Sequence, residues 1–309
     1  MNIFKKLLKS PPPANYTTDM PNASKSKLAL AILARDEIGT IEENIKFHLA
    51  QGVDIIIATD NKSKDGTLDI FKKYEKLGKL HLIQDDSDNH DQSRITNNMI
   101  RIAREQYNID WVLIADADEL FLSKWGNLKI NIEQFEQGGY NVAFTPMFNI
   151  YPETKADTEN KFYLNTKGFY SKIFDHPTIF SSKAFIKTKD HRDLIFGNHE
   201  TVTEHKHPVI CTDITLFHYP MRTLEQCRRK YKNLSNAANN TKSDYIIYGN
   251  ICKETYNNIE QFWLENIIEN RKDKSIEWII NSGAKDFILN GYQNTCSAIN
   301  KQALAMHKK

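Results

Sequence analysis

Apolar, strand-like runs that alternate with amphipathic helices constrain the fold of this chain more than any other feature. Leu28–Ala34 is a continuous apolar run, which is typical of a central parallel strand covered on both faces. In the next segment, between Thr40 and Gly52, apolar residues recur at helical spacing. We expect Thr40 to cap that helix and Gly52 to end it in the left-handed conformation. The folded part therefore opens with a βα unit.

The same unit recurs along the first half of the chain. The patterns predict further strands at Val53–Thr59, Lys79–Ile83 and Trp111–Ala115. They predict helices from Thr67 to Gly78 and at Asp91–Gln106. From Tyr140 to Phe217 we expect mixed or antiparallel strands, and beyond Pro220 helices packed against the core. The fold class predicted is α/β, with a mostly parallel mixed sheet flanked by helices and a helical C-terminal region.

Composition excludes several classes of function. The 309 residues are 40% hydrophobic, enough for one large domain with an appended lobe. Lys and Arg number 41 against 39 for Asp and Glu, so the net charge of +2 argues against nucleic acid as a partner. The four cysteines lack the spacing of a zinc ribbon or a redox motif. No apolar run approaches the roughly 20 residues of a membrane-spanning helix, so we expect a cytoplasmic protein.

Two segments leave peripheral membrane contact open. Met1–Ser10 combines helically spaced apolar residues with three lysines, as in a helix lying on an anionic membrane, but a frayed terminus is the interpretation we favour. The basic run Arg228–Lys230 follows Arg222 by about two helical turns. It predicts either a solvated helix face or a groove for an anionic acceptor or phospholipid head.

Polar clusters follow three of the predicted strands: Arg35-Asp36, Asp60-Asn61 and Asp116-Ala117-Asp118. In open α/β sheets, ligands bind outside the carboxyl ends of the strands, so the clusters predict one binding edge. In an extended segment Asp116 and Asp118 would share a face about 7 Å apart and chelate one divalent cation. Oxygen ligands favour Mg²⁺ or Mn²⁺, which would stabilise a departing diphosphate. The alternative is that these acids merely cap a turn.

These clusters, in this order, resemble the motifs of family 2 glycosyltransferases. The matching residues are Leu33-Ala-Arg35-Asp36-Glu37, Asp60-Asn61-Lys-Ser63-Lys-Asp65-Gly66-Thr67 and Asp116-Ala-Asp118-Glu119. The resemblance implies a glycosyltransferase A fold, a nucleotide-sugar donor, Mn²⁺ or Mg²⁺, and inversion at the anomeric carbon. It also implies that Asp36 and Asp60 face the nucleobase or ribose, with Arg35 and Asn61 beside them. Asn61 and Lys62 stand where many relatives have aspartate and glycine, which leaves the preference for a UDP-sugar open.

Later segments resemble motifs of a subgroup of that family. Within Lys167–Phe174, Lys172 is a candidate for neutralising phosphate, with a solvated surface lysine as the alternative. The segments Gly197–Glu200 and Phe217–Arg222 place His199 and His218 at the rim of the site. His218 is a candidate third metal ligand, against the alternative of a structural histidine.

An acceptor hydroxyl needs a general base, and we predict Glu200, with His199 and Asp213 behind it. An ordinary surface acid is the alternative for Glu200. A zinc site on His199, His205 and His207 is a weaker alternative, because no fourth ligand is evident.

The function predicted is transfer of a sugar from a nucleoside-diphosphate donor to a glycan or glycolipid hydroxyl, as in polysaccharide or lipopolysaccharide assembly. The alternatives are a nucleotidyltransferase of similar fold and a non-catalytic carbohydrate-binding relative. We expect residues 1–26 to be a tail, 27–222 the catalytic domain and 223–309 a helical region. Within the catalytic domain, 27–122 would bind the nucleotide sugar and 123–222 the acceptor.

Overall fold

The structure is a computed structural model, and its helices and strands are numbered here in chain order. It describes residues 21–87, 92–145, 147–152, 159–165, 167–170, 183–195, 200–203, 205, 207–238, 245–264, 278–280 and 283–291. The strands are β1 (Leu28–Ala34), β2 (Ile55–Asp60), β3 (Leu80–Gln84), β4 (Trp111–Asp116), β5 (Glu119–Ser123), β6 (Val142–Phe144), β7 (Met147–Ile150), β8 (Lys167–Tyr170), β9 (Ala184–Lys187), β10 (His191–Ile195), β11 (Glu200–Thr203), β12 (Pro208–Ile210), β13 (Ile214–His218) and β14 (Trp278–Ile280). The helices are α1 (Ile41–Ala50), α2 (Thr67–Lys76), α3 (Gln92–Tyr107), α4 (Leu128–Gln137), α5 (Leu224–Ala238), α6 (Tyr245–Asn257), α7 (Ile259–Trp263) and α8 (Gly283–Asp286).

A seven-stranded mixed sheet forms the centre of the described structure, in the order β12-β6-β9-β4-β1-β2-β3. Strands β4, β1, β2 and β3 run parallel, and β9 pairs antiparallel with both β4 and β6. The predicted α/β class with a mostly parallel mixed sheet and flanking helices is therefore confirmed. The antiparallel strand comes from the segment in which mixed strands were expected.

Strand β1 is apolar throughout because both of its faces are buried. Leu28, Leu30 and Ile32 belong to one core cluster, with residues of α1, α2 and α4. The intervening Ala29 and Ala31 pack with α3 on the opposite face. Successive strand residues point to opposite faces, so this arrangement leaves no position on β1 for a polar side chain.

A second sheet lies beside the first, in the order β14-β8-β7-β13-β5. Strand β5 follows β4 after a two-residue turn at Ala117 and Asp118, so the turn joins the two sheets. Strand β13 pairs antiparallel with β5 and parallel with β7. The last residue of β13, His218, thereby lies opposite Glu119 on one side and Asn149 on the other.

Some local expectations need correction. Thr40 precedes α1 but does not cap it, because its hydroxyl bonds to Glu37 instead. Gly52 does adopt the expected left-handed conformation, with φ of +90°. Within the predicted tail, Ser24 is 6% exposed and its hydroxyl donates to Glu136 on α4. None of the described helices is both long and apolar enough to cross a bilayer, and Met1–Ser10 lies outside the described residues.

Candidate functional site

The three polar clusters predicted from the sequence meet at one edge of the central sheet. Strand β1 lies between β2 and β4, and all three are parallel, so their carboxyl ends are neighbours. Ala34 is in register with Asp60, and Leu33 with Asp116. This edge is where an open α/β sheet binds its ligands.

The β1 and β2 ends form one half of the site. Arg35 Nη1 lies 3.5 Å from Asn61 Oδ1, and the Asn61 amide donates to the carbonyl oxygen of Asp85 at 3.1 Å. Asp36 has a φ of +57°, rare for a residue other than glycine, and its carboxylate accepts from the Lys64 N–H at 2.8 Å. Asp36, Arg35 and Asn61 are therefore fixed in one polar surface.

Asp60 is the most buried acid of this half, at 4% exposed. Its Oδ2 accepts from the Ser63 N–H at 3.2 Å. Its Oδ1 is buried and has no hydrogen-bond donor among the described residues. A buried carboxylate oxygen without a donor is costly, which is the condition that a ligand N–H or hydroxyl would relieve.

Contrary to the sequence prediction, the carboxyl end of β4 does not continue as an extended segment through Asp118. Strand β4 stops at Asp116, and Asp118 lies in the turn before β5, so the two carboxylates do not share a strand face. Asp116 Oδ2 lies 2.8 Å from Lys183 Nζ, whose side chain is 2% exposed. Asp118 instead faces His218 and α5.

Helix α1 holds this turn through a stripe of buried polar side chains. The Asn44 amide donates to the carbonyl oxygens of Asp116, Ala117 and Glu119, at 3.3, 3.1 and 2.8 Å. One and two turns further along the helix, His48 Nε2 accepts from the Phe121 N–H and Gln51 bonds to Phe121 and Ser123. These three side chains are 0% exposed. They bond to backbone N–H and C=O groups on the edge of β5, as a neighbouring strand would.

His218 is presented to Asp118 with a defined tautomer. Its Nδ1 lies 2.8 Å from Asn149 Oδ1, and because an amide oxygen only accepts, Nδ1 carries the proton. Nε2 therefore presents a lone pair, 3.7 Å from Asp118 Oδ1. Burial lowers the pKa of His218 to about 4, so the ring is neutral at pH 7. A lone pair facing a carboxylate oxygen is unfavourable unless a cation lies between them.

The Asp118–His218 pair fits a divalent metal ion. Two ligands that each lie about 2.1 Å from one ion are separated by roughly 3 to 4 Å, as these atoms are. The Asn149 contact is the second hydrogen bond that metal-binding imidazoles usually make. Within the part of the chain that the structure describes, no group of three or more His, Cys, Asp or Glu side chains is placed to hold a metal together. The pair suits an ion whose remaining positions are filled by phosphate and water.

Two cations lie near the other carboxylate oxygen of Asp118. Lys230 Nζ lies 3.1 Å from Asp118 Oδ2, and Arg222 Nη1 lies 3.6 Å from the same atom. Arg222 is 1% exposed and also pairs with Glu37 at 2.7 Å. Burial alone would raise the pKa of Asp118, but the neighbouring positive charges, Lys230 first among them, outweigh it and hold that pKa below its usual range. Asp118 is therefore a carboxylate at neutral pH.

Glu119 has a different protonation state. It is 2% exposed and accepts a 2.8 Å hydrogen bond from the Asp116 N–H. Burial, together with the negative charges of Asp116 and Asp118, raises its pKa to about 8. A proton on Glu119 at pH 7 limits the negative charge of the turn, so Glu119 supports the loop and does not add a third anionic ligand.

The structure leaves other predicted residues without a described position. Lys172 and His199 lie outside the described residues, and of Glu200 only the backbone in β11 is described. Their roles stay predictions.

Two alternatives from the sequence are disfavoured by position. Asp213 pairs with Lys124 at 2.8 Å and precedes β13, so the length of that strand, roughly 16 Å, separates it from His218. His205 has a φ of +48° in a turn, and the His207 ring bonds to the carbonyl of Gly139. The two histidines therefore do not share a strand face as a zinc site would require.

Sequence reasoning missed three residues that hold the predicted ones in place, Asn44, Asn149 and Lys183, and the ion pairs of Glu37 with Arg222 and of Lys230 with Asp118. Only Asn44 had a local signal, because it recurs with Ile41, Ile45 and His48 on the apolar face of α1. For the Arg228–Lys230 run the sequence left a solvated helix face and a ligand groove as alternatives, and Lys230 faces the acids of the site while keeping a side chain 32% exposed. Arg228 does lie at the surface and pairs with Glu225 and Glu260.

Comparison with known proteins gives similar solved structures and one family match. No curated protein sequence matches the chain. Among solved structures, S. aureus TarS 1-349 in complex with UDP-GlcNAc is similar with a TM-score of 0.44 and 13% identity, over 79% of this chain and 74% of that one. The mannosyltransferase PcManGT from Pyrobaculum calidifontis, in complex with GDP-Man and Mn²⁺, is similar with a TM-score of 0.45 and 13% identity, over 97% and 90%.

The family comparison is decisive. The model for glycosyl transferase family 2 matches residues 30–196, more than half of the chain, and this range includes all three strand-end clusters. The chain belongs to glycosyl transferase family 2 and is a glycosyltransferase.

Proposed function

We propose that this glycosyltransferase moves a sugar from a nucleoside-diphosphate sugar, a UDP-sugar in our preferred assignment, to a hydroxyl of a glycan or lipid-linked acceptor with inversion. The observation that carries the proposal is the Asp118–His218 pair at the sheet edge, with the ring tautomer fixed by Asn149. The donors named for the two similar structures, UDP-GlcNAc and GDP-Man, are consistent with this class of substrate.

The β1 and β2 ends would bind the nucleoside. Asp60 Oδ1, buried without a donor among the described residues, would accept from a nucleobase N–H or a ribose hydroxyl. Asp36, with Arg35 and Asn61 beside it, would complete that half. Strand β1 pairs with both β2 and β4, so this pairing sets the distance between the nucleoside half and the turn that carries Asp118. The diphosphate would lie between the two.

Asp118 and His218 would hold Mn²⁺ or Mg²⁺, with Asp116 beside them. A divalent ion held there would supply positive charge to the oxygens of the departing diphosphate. Residues of the chain itself position the acids and balance their charge. Lys183 pairs with Asp116, and Asn44 bonds to the backbone of the turn. A rigid, mostly buried set of charges lowers the reorganisation needed when negative charge develops on the leaving group.

On the acceptor side, Glu200 is our proposal for the general base, with His199 beside it. Strand β11, which begins at Glu200, pairs with β10 in a two-stranded sheet. A base there would take the proton of the acceptor hydroxyl as it attacks the anomeric carbon from the face opposite the diphosphate. The Glu200→Gln variant should retain donor binding and lose transfer by at least about 100-fold.

The proposal is tested by thermal unfolding in a panel of UDP- and GDP-sugars, each with and without Mn²⁺. A donor at about 100 times its Kd stabilises the native state by roughly 2.7 kcal/mol, which raises Tm by roughly 4 °C for a chain of this length. Asp118→Asn should abolish the Mn²⁺-dependent part of that shift. Asp213→Asn, the matched control at the other end of β13, should retain it. A wild-type protein that gains no stability from any of these ligands would refute the proposal.

A further inference from the structure

Helix α5, from outside the matched family region, lies across the carboxyl ends of the strands. Its Lys230 Nζ is 3.1 Å from Asp118 Oδ2 and 3.3 Å from the carbonyl oxygen of Pro220. One turn later, Asn233 Nδ2 is 3.5 Å from Asp36 Oδ2. Residues three apart share a helix face, so one face of α5 contacts both the metal end and the nucleoside end of the site.

Three cations described near Asp116 and Asp118 differ in their freedom to move. Lys183 and Arg222 have side chains 2% and 1% exposed, and Asp116 and Glu37 hold them. The side chain of Lys230 is 32% exposed. A lysine ammonium on a flexible four-carbon stem can change partners without moving the backbone. Lys230 is therefore the cation best placed to leave its acid for a ligand.

The position of Lys230 conflicts with a metal ion on the same carboxylate. An ammonium group 3.1 Å from Asp118 would lie close to a divalent ion bound between Asp118 and His218, and two cations at that separation repel each other. The diphosphate of a donor brings negative charge into this space. An ammonium that turns to the diphosphate exchanges one anionic partner for another and leaves Asp118 to the metal.

We propose that Lys230 is a diphosphate-binding residue of the donor site, and that its ammonium leaves Asp118 for the diphosphate when a nucleoside diphosphate or its sugar binds. This inference rests on the proposed function. It makes Lys230 a competitor of the metal in the free protein and a ligand of the diphosphate in the complex. Helix α5 thereby becomes part of the donor site.

The two roles predict effects of opposite sign on two ligands. Lys230→Met removes the competing charge, so Mn²⁺ alone should bind more tightly, on the order of tenfold. The same variant loses a charge-assisted contact with the diphosphate, so UDP and GDP in the presence of Mn²⁺ should bind more weakly, on the order of tenfold or more. A residue with a purely structural role would weaken both.

The test combines two measurements on the whole chain. Free Mn²⁺ is followed by electron paramagnetic resonance without nucleotide, and UDP and GDP binding by calorimetry at saturating Mn²⁺. Lys232→Met, which removes the same charge from an exposed position of α5, is the control and should leave both affinities within about twofold. Lys230→Arg should restore nucleotide binding. Lys230→Gln repeats the experiment with a polar side chain if the methionine variant does not fold.

Each outcome has a separate meaning. Lys230 variants that match Lys232→Met, or that weaken Mn²⁺ and nucleotide together, overturn the inference and leave the proposed function standing. A wild-type protein that binds neither UDP nor GDP with Mn²⁺ overturns both. Tighter Mn²⁺ with weaker nucleotide supports the inference.

Discussion

The Asn44 side chain offers the sharpest test of how the fold positions the site. It donates to the carbonyl oxygens of Asp116, Ala117 and Glu119 from the buried face of α1. Asn44→Ala removes both amide protons and leaves buried carbonyl oxygens without that donor. Each lost hydrogen bond costs about 1 kcal/mol, and a newly unsatisfied buried carbonyl about 1–3 kcal/mol more. For the two amide protons and one unsatisfied carbonyl, we therefore expect the free energy of unfolding to fall by about 3 to 5 kcal/mol.

Urea unfolding at pH 7 measures this loss, and thermal unfolding should show a Tm lower by roughly 5 to 8 °C. Because the turn carries Asp118, the Mn²⁺-dependent stabilisation by nucleotide should also fall, by about tenfold in affinity. Lys46→Gln is the control on the same helix. Its ammonium lies 3.8 Å from Glu42 near the surface, so the change should cost less than about 1 kcal/mol.

A loss below about 1 kcal/mol for Asn44→Ala, or unchanged nucleotide binding despite a large loss, would refute the reasoning. The first result would mean that water replaces the amide at the turn. The second would mean that the turn does not depend on α1 for its conformation. Asn44→Asp, which has the same shape but no amide donor, should be at least as destabilising as the alanine variant.

Two further predictions concern stability. Burial lowers the pKa of His48 to about 4, below the value of about 6.5 for an unfolded chain, so the unfolded state binds the extra proton first. The contribution of neutral His48 to the free energy of unfolding, about 3 kcal/mol, should therefore be present above pH 6.5 and be lost as pH falls toward 4. The His48→Leu variant should show a flatter dependence of that free energy on pH over this range, measured by urea unfolding. Gly52→Ala should cost about 2 kcal/mol or more in urea unfolding, because φ is +90° and the new Cβ would lie 2.7 Å from Oδ1 of Asn127, which caps α4. Gly78→Ala, at φ of +66° with nothing within 4 Å of its Cβ, should show only the backbone cost of about 1 kcal/mol. Equal losses at the two glycines would contradict the steric argument.

Much of the architecture could be predicted from local sequence because it depends on periodicity. A continuous run of seven apolar residues is typical of a strand buried on both faces. Strand β1 has the predicted bounds of Leu28–Ala34. Helix α3 buries the predicted Ile95, Met99, Ile102 and Ala103. Parallel strands whose carboxyl ends carry polar residues must bring those residues to one edge, so the convergence of the three clusters also followed from the sequence.

The turn at Asp116 and Asp118 could not be predicted in the same way. A period of two would have kept both carboxylates on one face, but the chain leaves the first sheet after Asp116 and enters the second at Glu119. Which sheet receives β5 depends on its pairing with β13, nearly a hundred residues later. Long-range pairing of this kind leaves no local signal in a single sequence.

The sequence by itself determined the fold class, the binding edge and the acids that line it, because each follows from the spacing of apolar and polar residues in neighbouring segments. Only the tertiary structure decided the partners of those acids. Lys183 reaches Asp116 across 67 residues, and Lys230 reaches Asp118 across 112. The physical reason is that the charge state of a buried carboxylate depends on the distance to every nearby charge, and that distance is set by how the two sheets and α5 pack together.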